Sequence, residues 1–103
     1  MAAAADIADG VNIKLTKSGG IREAVRMIHA ARALGLNVML GCMNESSLGI
    51  AQAAQISPLV DVVDLDGHLL NRNDSHTGLG FVDGRVLPGE GPGLGVTPLE
   101  PWP

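Results

Sequence analysis

Val11-Asn12-Ile13-Lys14-Leu15, Asn37-Val38-Met39-Leu40-Gly41 and Val60-Asp61-Val62-Val63-Asp64-Leu65 are three short runs rich in branched and apolar residues, each of strand length. Between the first two, Ile21, Ala24, Val25, Ile28 and Ala31 recur at helical spacing from Ile21 to Leu34. Arg22, Glu23, Arg26 and Arg32 fall off that face. Gly35 is a suitable stop, because glycine accepts the left-handed conformation just past a helix end. Between the second and third runs, Ser46 or Ser47 can cap a helix that continues to about Ile56 and ends at Pro58. Strand, helix, strand, helix, strand with short connections predicts a parallel sheet and the α/β class.

From Asn71 onward the chain is rich in Gly, Asn, Asp and Pro. Gly80 to Leu87 can form a hairpin through Asp83-Gly84, a short C-terminal β segment, and Gly89 to Pro103 reads as a loop-like tail. The glycines of that tail do not follow a strand and open a helix, so they are not a phosphate-binding loop. Three parallel strands and two helices leave a sheet with uncovered faces and edges. A closed (β/α)₈ barrel takes about 250 residues. The 103 residues therefore read as one piece, 1–103, of a partial (β/α)₈ barrel. Such a piece is completed by a missing N-terminal half or by forming a homo-oligomer.

Composition narrows the classes further. A hydrophobic share of 46% with 17% charged residues suits a folded chain. A net charge of -4 offers no basic patch for nucleic acid or an anionic membrane, and no apolar run approaches a membrane span. Cys42 is the only cysteine, which excludes a disulfide framework and fits a reducing, cytoplasmic setting. Met1 to Ala5 lacks the basic start of a signal peptide, and Ala2–Ala5 read as an appended scar or the frayed end of a helix.

The chemically informative residues sit at the C-terminal ends of the strands, the rim where barrel enzymes build their sites. Alternation puts Asn12 and Lys14 on one face of the first strand, and Val11, Ile13 and Leu15 on the other. The apolar face packs under helices, so Lys14 points into the barrel. Desolvation in a barrel mouth favours the neutral form of an amine, the form that accepts a proton. The bland reading of Lys14 is a side chain snorkelling to solvent. Asp64 and Asp66 flank Leu65 and share a face, a pair able to hold an ammonium group or a cation, whereas Asp66-Gly67 alone would read as a turn. Cys42, Met43, Asn44 and Glu45 join the second strand to its helix at the same rim. Glu45 and Ser46 also suit helix capping, and Cys42 suits packing. His29, His68 and His76 have no metal-ligand spacing among themselves.

Together, NIKLTKSGGIREAVRMIHAARALGLNVMLGCMNESSLGIAQAA, DLDGHLL and PGEGPGLGV resemble the end of the barrel in enolase-superfamily enzymes of the muconate-lactonizing subgroup, and most of all the dipeptide epimerases. The resemblance spans about residues 6 to 96. It implies the sixth to eighth barrel strands and a return toward a capping domain. It puts one acid/base lysine at Lys14 and the holders of a dipeptide's ammonium group at Asp64 and Asp66. It makes Cys42, Met43, Asn44 and Glu45 substrate contacts. It implies a Mg²⁺-assisted 1,1-proton transfer alpha to a carboxylate. In that family the three carboxylate ligands of Mg²⁺ and the second lysine precede this segment, and Asp64 and Asp66 do not replace those ligands. The chain alone is then expected to be inactive. A muconate or chloromuconate cycloisomerase is the related alternative, although its substrate has no ammonium group for the aspartates. A non-catalytic, self-assembling barrel remnant is the other alternative.

Overall fold

The structure is a computed structural model that describes residues 6–99; Ala2–Ala5 and the end of the tail lie outside the described residues. Three strands, β1 (Gly10–Lys14), β2 (Asn37–Gly41) and β3 (Val62–Val63), form one parallel sheet in the order β1-β2-β3. The connections are a one-turn helix α1 (Leu15–Ser18), the long helix α2 (Ile21–Ala33) and α3 (Ser47–Ile56), the last running into a 3₁₀ turn at Ser57–Leu59. Two βαβ units in succession are the expected partial barrel.

Register decides which residues share a face. Ile13 pairs with Leu40 and Leu40 with Val63, while Asn12 pairs with Met39 and Met39 with Val62. The first set faces the helices. Ile13, Val38 and Leu40 are almost wholly buried there against Ala24, Ile28 and Ala31 of α2 and Ile50, Ala53 and Ala54 of α3. The second set faces away, toward the space that a closed barrel would enclose.

Two strand boundaries differ from the sequence reading. Leu15 was expected to end the first strand, but it begins α1. Gly19 takes φ 96°, and the amides of Gly19 and Gly20 both return to the Leu15 carbonyl, which closes a helical turn at once. Leu15 stays buried in the core nonetheless. The third strand was expected from Val60 to Leu65, yet only Val62–Val63 is regular. The Asp61 and Asp64 amides do reach the Val38 and Leu40 carbonyls, but among the described residues β3 has a neighbour on one side alone. Asp61 is instead occupied by a different task. Its carboxylate accepts from the Val38 amide and from Arg32 Nη1, both at 2.8 Å, and Arg32 Nη2 reaches the Leu59 carbonyl at 3.0 Å. One side chain thus ties α2, β2 and the approach to β3 together.

Beyond β3, a 3₁₀ turn covers Gly67–Leu70, and β4 (His76–Thr77), β5 (Gly80–Val82), β6 (Arg85–Leu87) and β7 (Thr97–Pro98) follow. The expected β5–β6 hairpin is present. Its Asp83 and Gly84 both take positive φ, 49° and 75°, the twist that two-residue hairpin turns require. Within the tail, Thr97–Pro98 pairs antiparallel with His76–Thr77. Phe81 of the hairpin meets the buried His68 edge to face, with ring centres 6.2 Å apart.

Candidate active site

The rim of the sheet brings together most of the residues singled out above. Lys14 pairs with Gly41, and the Asp64 amide donates to the Leu40 carbonyl, so Lys14, Gly41 and Asp64 lie at one level of the sheet. They continue the face that carries Asn12, Met39 and Val62. Two strand spacings separate Lys14 from Asp64, about 10 Å between backbones. Gly41 between them has no side chain, and a Cβ there would meet Asn12 Oδ1 at 2.6 Å. The Asn12 amide therefore lies over Gly41, on the floor of the gap between lysine and carboxylate.

Asp64 and Asp66 are both exposed while Leu65 between them is 3% exposed, and Asp66 opens the 3₁₀ turn of Gly67–Leu70. Residues 42–46 bridge the two halves of this rim. Lys14 Nζ lies 3.7 Å from Met43 Sδ, and Cys42 Sγ lies 3.9 Å from Asp66 Oδ1. Burial pushes the Cys42 thiol up, helped by the nearby Asp66, Asp64 and Glu45 carboxylates and opposed by the Gly67 amide. Cys42 is thereby kept as a neutral thiol and is a poor nucleophile. The Glu45 carboxylate accepts from the Met43 amide at 2.9 Å, so it shapes the loop from within; Asn44 is exposed. Ser46 is the cap of α3, accepting weakly from the Gly49 amide.

Two residues that hold this loop escaped the sequence reading. Asn71 Nδ2 donates to the Glu45 carbonyl at 2.6 Å, and the Asp74 carboxylate accepts from the Ser47 amide at 3.0 Å and from the Ser47 hydroxyl. Burial pushes the Asp74 carboxyl up, but the Ser47 hydroxyl and amide and the His76 and Ser75 amides outweigh it and hold Asp74 below the usual carboxylate range. In sequence, Asn-Asp-Ser signals only a turn; the partners lie 26 and 27 positions away.

An open cleft of about 410 Å³ lies along the free side of β3, between Ala54 and Ser57 of the α3 end and Phe81, Arg85 and Leu87 of the hairpin. It borders Asp64 and Asp66 but not Lys14 or the Cys42–Glu45 loop. Among the described residues no group of three or more His, Cys, Asp or Glu side chains is placed to hold a metal ion. The donor set present does not fit a resident Mg²⁺. The rim thus presents an amine at Lys14 and two carboxylates at Asp64 and Asp66.

Residues 1–102 match the family described as Enolase C-terminal domain-like. The chain belongs to that family. This enolase-type chain is similar to the L-Ala-D/L-Glu epimerase of Bacteroides thetaiotaomicron, with 51% identity over 84% of the chain and 23% of the relative. It is similar to the hydrophobic dipeptide epimerase of Roseobacter litoralis, with 53% identity over 84% of the chain and 25% of the relative. In structure it resembles the dipeptide epimerase of Methylococcus capsulatus, solved with Mg and the dipeptide L-Arg-D-Lys. That match has a TM-score of 0.83 and 37% identity, over 91% of this chain and 28% of that one. The chain thus spans about a quarter of the length of these relatives. Among the described residues, no helix is long and apolar enough to cross a membrane.

Proposed function

We propose that this chain is the C-terminal part of a dipeptide epimerase, supplying one acid/base group and the anchor for the substrate's ammonium end. The reading rests on one observation above others: Lys14 and Asp64 end the first and third strands of a single parallel sheet at one level and on one face, with the loop from the strand between them touching Lys14 and Asp66. The substrate is a dipeptide whose ammonium group sits at Asp64 and Asp66. Cys42, Met43, Asn44 and Glu45 line the way between. Lys14 Nζ takes the proton from the carbon alpha to the substrate carboxylate. The C–H electron pair moves onto the carboxylate as an enediolate, and an N–H bond forms on Lys14. Return of a proton to the opposite face inverts the centre and needs a second acid on that face. The described residues hold no set of metal donors, so the chain by itself provides only part of the chemistry. The lone cysteine fits a cytoplasmic enzyme.

Binding is the test. L-Ala-L-Glu is titrated onto the isotope-labelled chain and followed by amide shifts. Shifts are expected at residues 41–45 and 64–67, with N-acetylation of the dipeptide weakening them about tenfold or more, the loss of a charge-assisted contact. Shifts elsewhere, or equal binding of the acetylated form, would overturn the assignment of the acid pair. With the chain alone no alpha-proton exchange into deuterated water is expected; exchange abolished by Lys14→Ala would show a complete site.

A second reading, self-association, is favoured by β3. Val62 is 55% and Val63 45% exposed on a strand that, among the described residues, has a partner on one side only. Such an edge is a template for further pairing. Sedimentation that finds a monomer at high concentration would remove it.

A further inference from the structure

Three successive odd positions of the rim loop meet the segment that follows the acid pair, the first by a close backbone approach and the other two by hydrogen bonds. Met43 is met by Gly67: a Cβ there would sit 2.0 Å from the Met43 carbonyl oxygen. Glu45 is met by Asn71, through Nδ2 on the Glu45 carbonyl. Ser47 is met by Asp74, through the amide and the hydroxyl. The grips advance together along both segments, 67, 71 and 74 against 43, 45 and 47. Gly67 is joined directly to Asp66, whose carboxylate faces Cys42. A helix start is ordinarily capped by its own first residues, as Ser46 does here; the Asn71 and Asp74 bonds to Glu45 and Ser47 come from 26 and 27 positions away.

We propose that Asn71 and Asp74 are positioning residues that fix the Cys42–Ser47 loop in register with Asp64 and Asp66, so that the distance between the loop and the acid pair is set before a ligand arrives. This rests on the reading of the rim as a dipeptide site only for its purpose; the grip itself is a property of the free chain. A loop held at alternate residues by the strand end that carries the anchor moves with that anchor as one unit. Pre-ordering of this kind spares the ligand the ordering entropy of the loop. Asn71 and Asp74 touch no substrate in this scheme and act through Glu45 and Ser47.

Hydrogen exchange of single amides in the 103-residue chain separates local from global effects. The informative proton is the Met43 amide, bonded to Glu45 Oε2 and touched by neither Asn71 nor Asp74. Asn71→Ala, which loses one supporting hydrogen bond, is expected to speed its exchange by about tenfold, and Asp74→Ala, which loses several, by at least as much. The amides of Met39 and Leu40 in β2 should be unchanged. Should Asp74→Ala not fold, Asp74→Asn, which keeps one acceptor, takes its place. An unchanged Met43 amide, or equal acceleration across β2, would overturn the proposal. A dipeptide arm keeps the two claims apart. Weaker dipeptide shifts in the variants with loosened Met43 support both. A parent chain that takes no dipeptide, alongside variants that still loosen Met43, removes the substrate reading and leaves the positioning role standing.

Discussion

Gly67→Ala is a one-methyl change whose consequence can be worked from distances. The added Cβ would lie 2.0 Å from the Met43 carbonyl oxygen and 3.2 Å from Cys42 Sγ. An ordinary carbon–oxygen contact is about 3.3 Å, so the two backbones must part by about 1.3 Å. The obstacle is main chain, which cannot swing aside as the end of a long side chain would. Gly67 has no positive φ, so the whole penalty is steric. Overpacking of this kind costs about 1–3 kcal/mol. With a urea dependence of about 1–2 kcal/mol per molar for a chain of this size, the midpoint should fall by about 0.5–3 M. The displacement should concentrate on Cys42 and Met43 and carry Cys42 away from Asp66. Urea unfolding and an amide-shift map of the variant read both quantities. Gly84→Ala is the control: nothing lies within 4 Å of its Cβ, but φ is 75°. It should cost about 1–2 kcal/mol through the left-handed backbone and leave the rim shifts untouched. A Gly67→Ala chain within about 0.5 kcal/mol of the parent, with Met43 shifts unchanged, would refute the close approach of the two loops.

Other outcomes follow from the same geometry. The Val38 amide and the Arg32 guanidinium hold the Asp61 carboxyl below its ordinary value of 3.8. A carboxyl lowered in the folded state adds stability above its unfolded value, and that stability is lost as pH falls below 3.8 through the folded value. The gap in urea midpoint between the parent and Asp61→Asn should therefore be widest near neutral pH and close as pH drops below that point; a gap that widens on acidification would contradict the latch. Leu40→Ala, at a site with no exposure between Ile13 and Val63, should cost about 2–5 kcal/mol. A loss under about 1 kcal/mol would show that the central strand does not carry the core.

The strands and α2 were legible because each pairs a local pattern with its own burial. Ile13, Val38 and Leu40 are apolar at alternate positions and do lie under the helices; Ala24, Ile28 and Ala31 recur at helical spacing and form the buried stripe. The hairpin was legible from Asp83-Gly84 alone, since that turn is encoded by two adjacent residues. The failures share a cause in distance along the chain. Asp61 reads as a polar residue of a strand, yet its carboxylate serves Val38 and Arg32, 23 and 29 positions away. Asn71 and Asp74 read as turn residues, yet they hold a loop 26 and 27 positions upstream. The overlong third strand has the same origin, because the sequence carries no mark of a missing neighbour on its outer side. Of the candidate site, strand-end alternation was enough to group Lys14, Asp64 and Asp66 at one rim. The floor of Asn12 over Gly41 emerges only once β1 and β2 are set in register.

The most direct measurement joins residues 6–99 to the upstream part of a similar dipeptide epimerase and follows alpha-proton exchange of L-Ala-L-Glu and L-Ala-D-Glu into deuterated water, with Mg²⁺, for the parent chimera and for Lys14→Ala. The expected result is exchange from both dipeptides in the parent. In Lys14→Ala, exchange should fall by about 10²–10⁴-fold, the usual worth of a positioned general base, from the configuration whose proton faces Lys14. Undiminished exchange from both configurations in Lys14→Ala would contradict the role given to Lys14 and with it the proposed site.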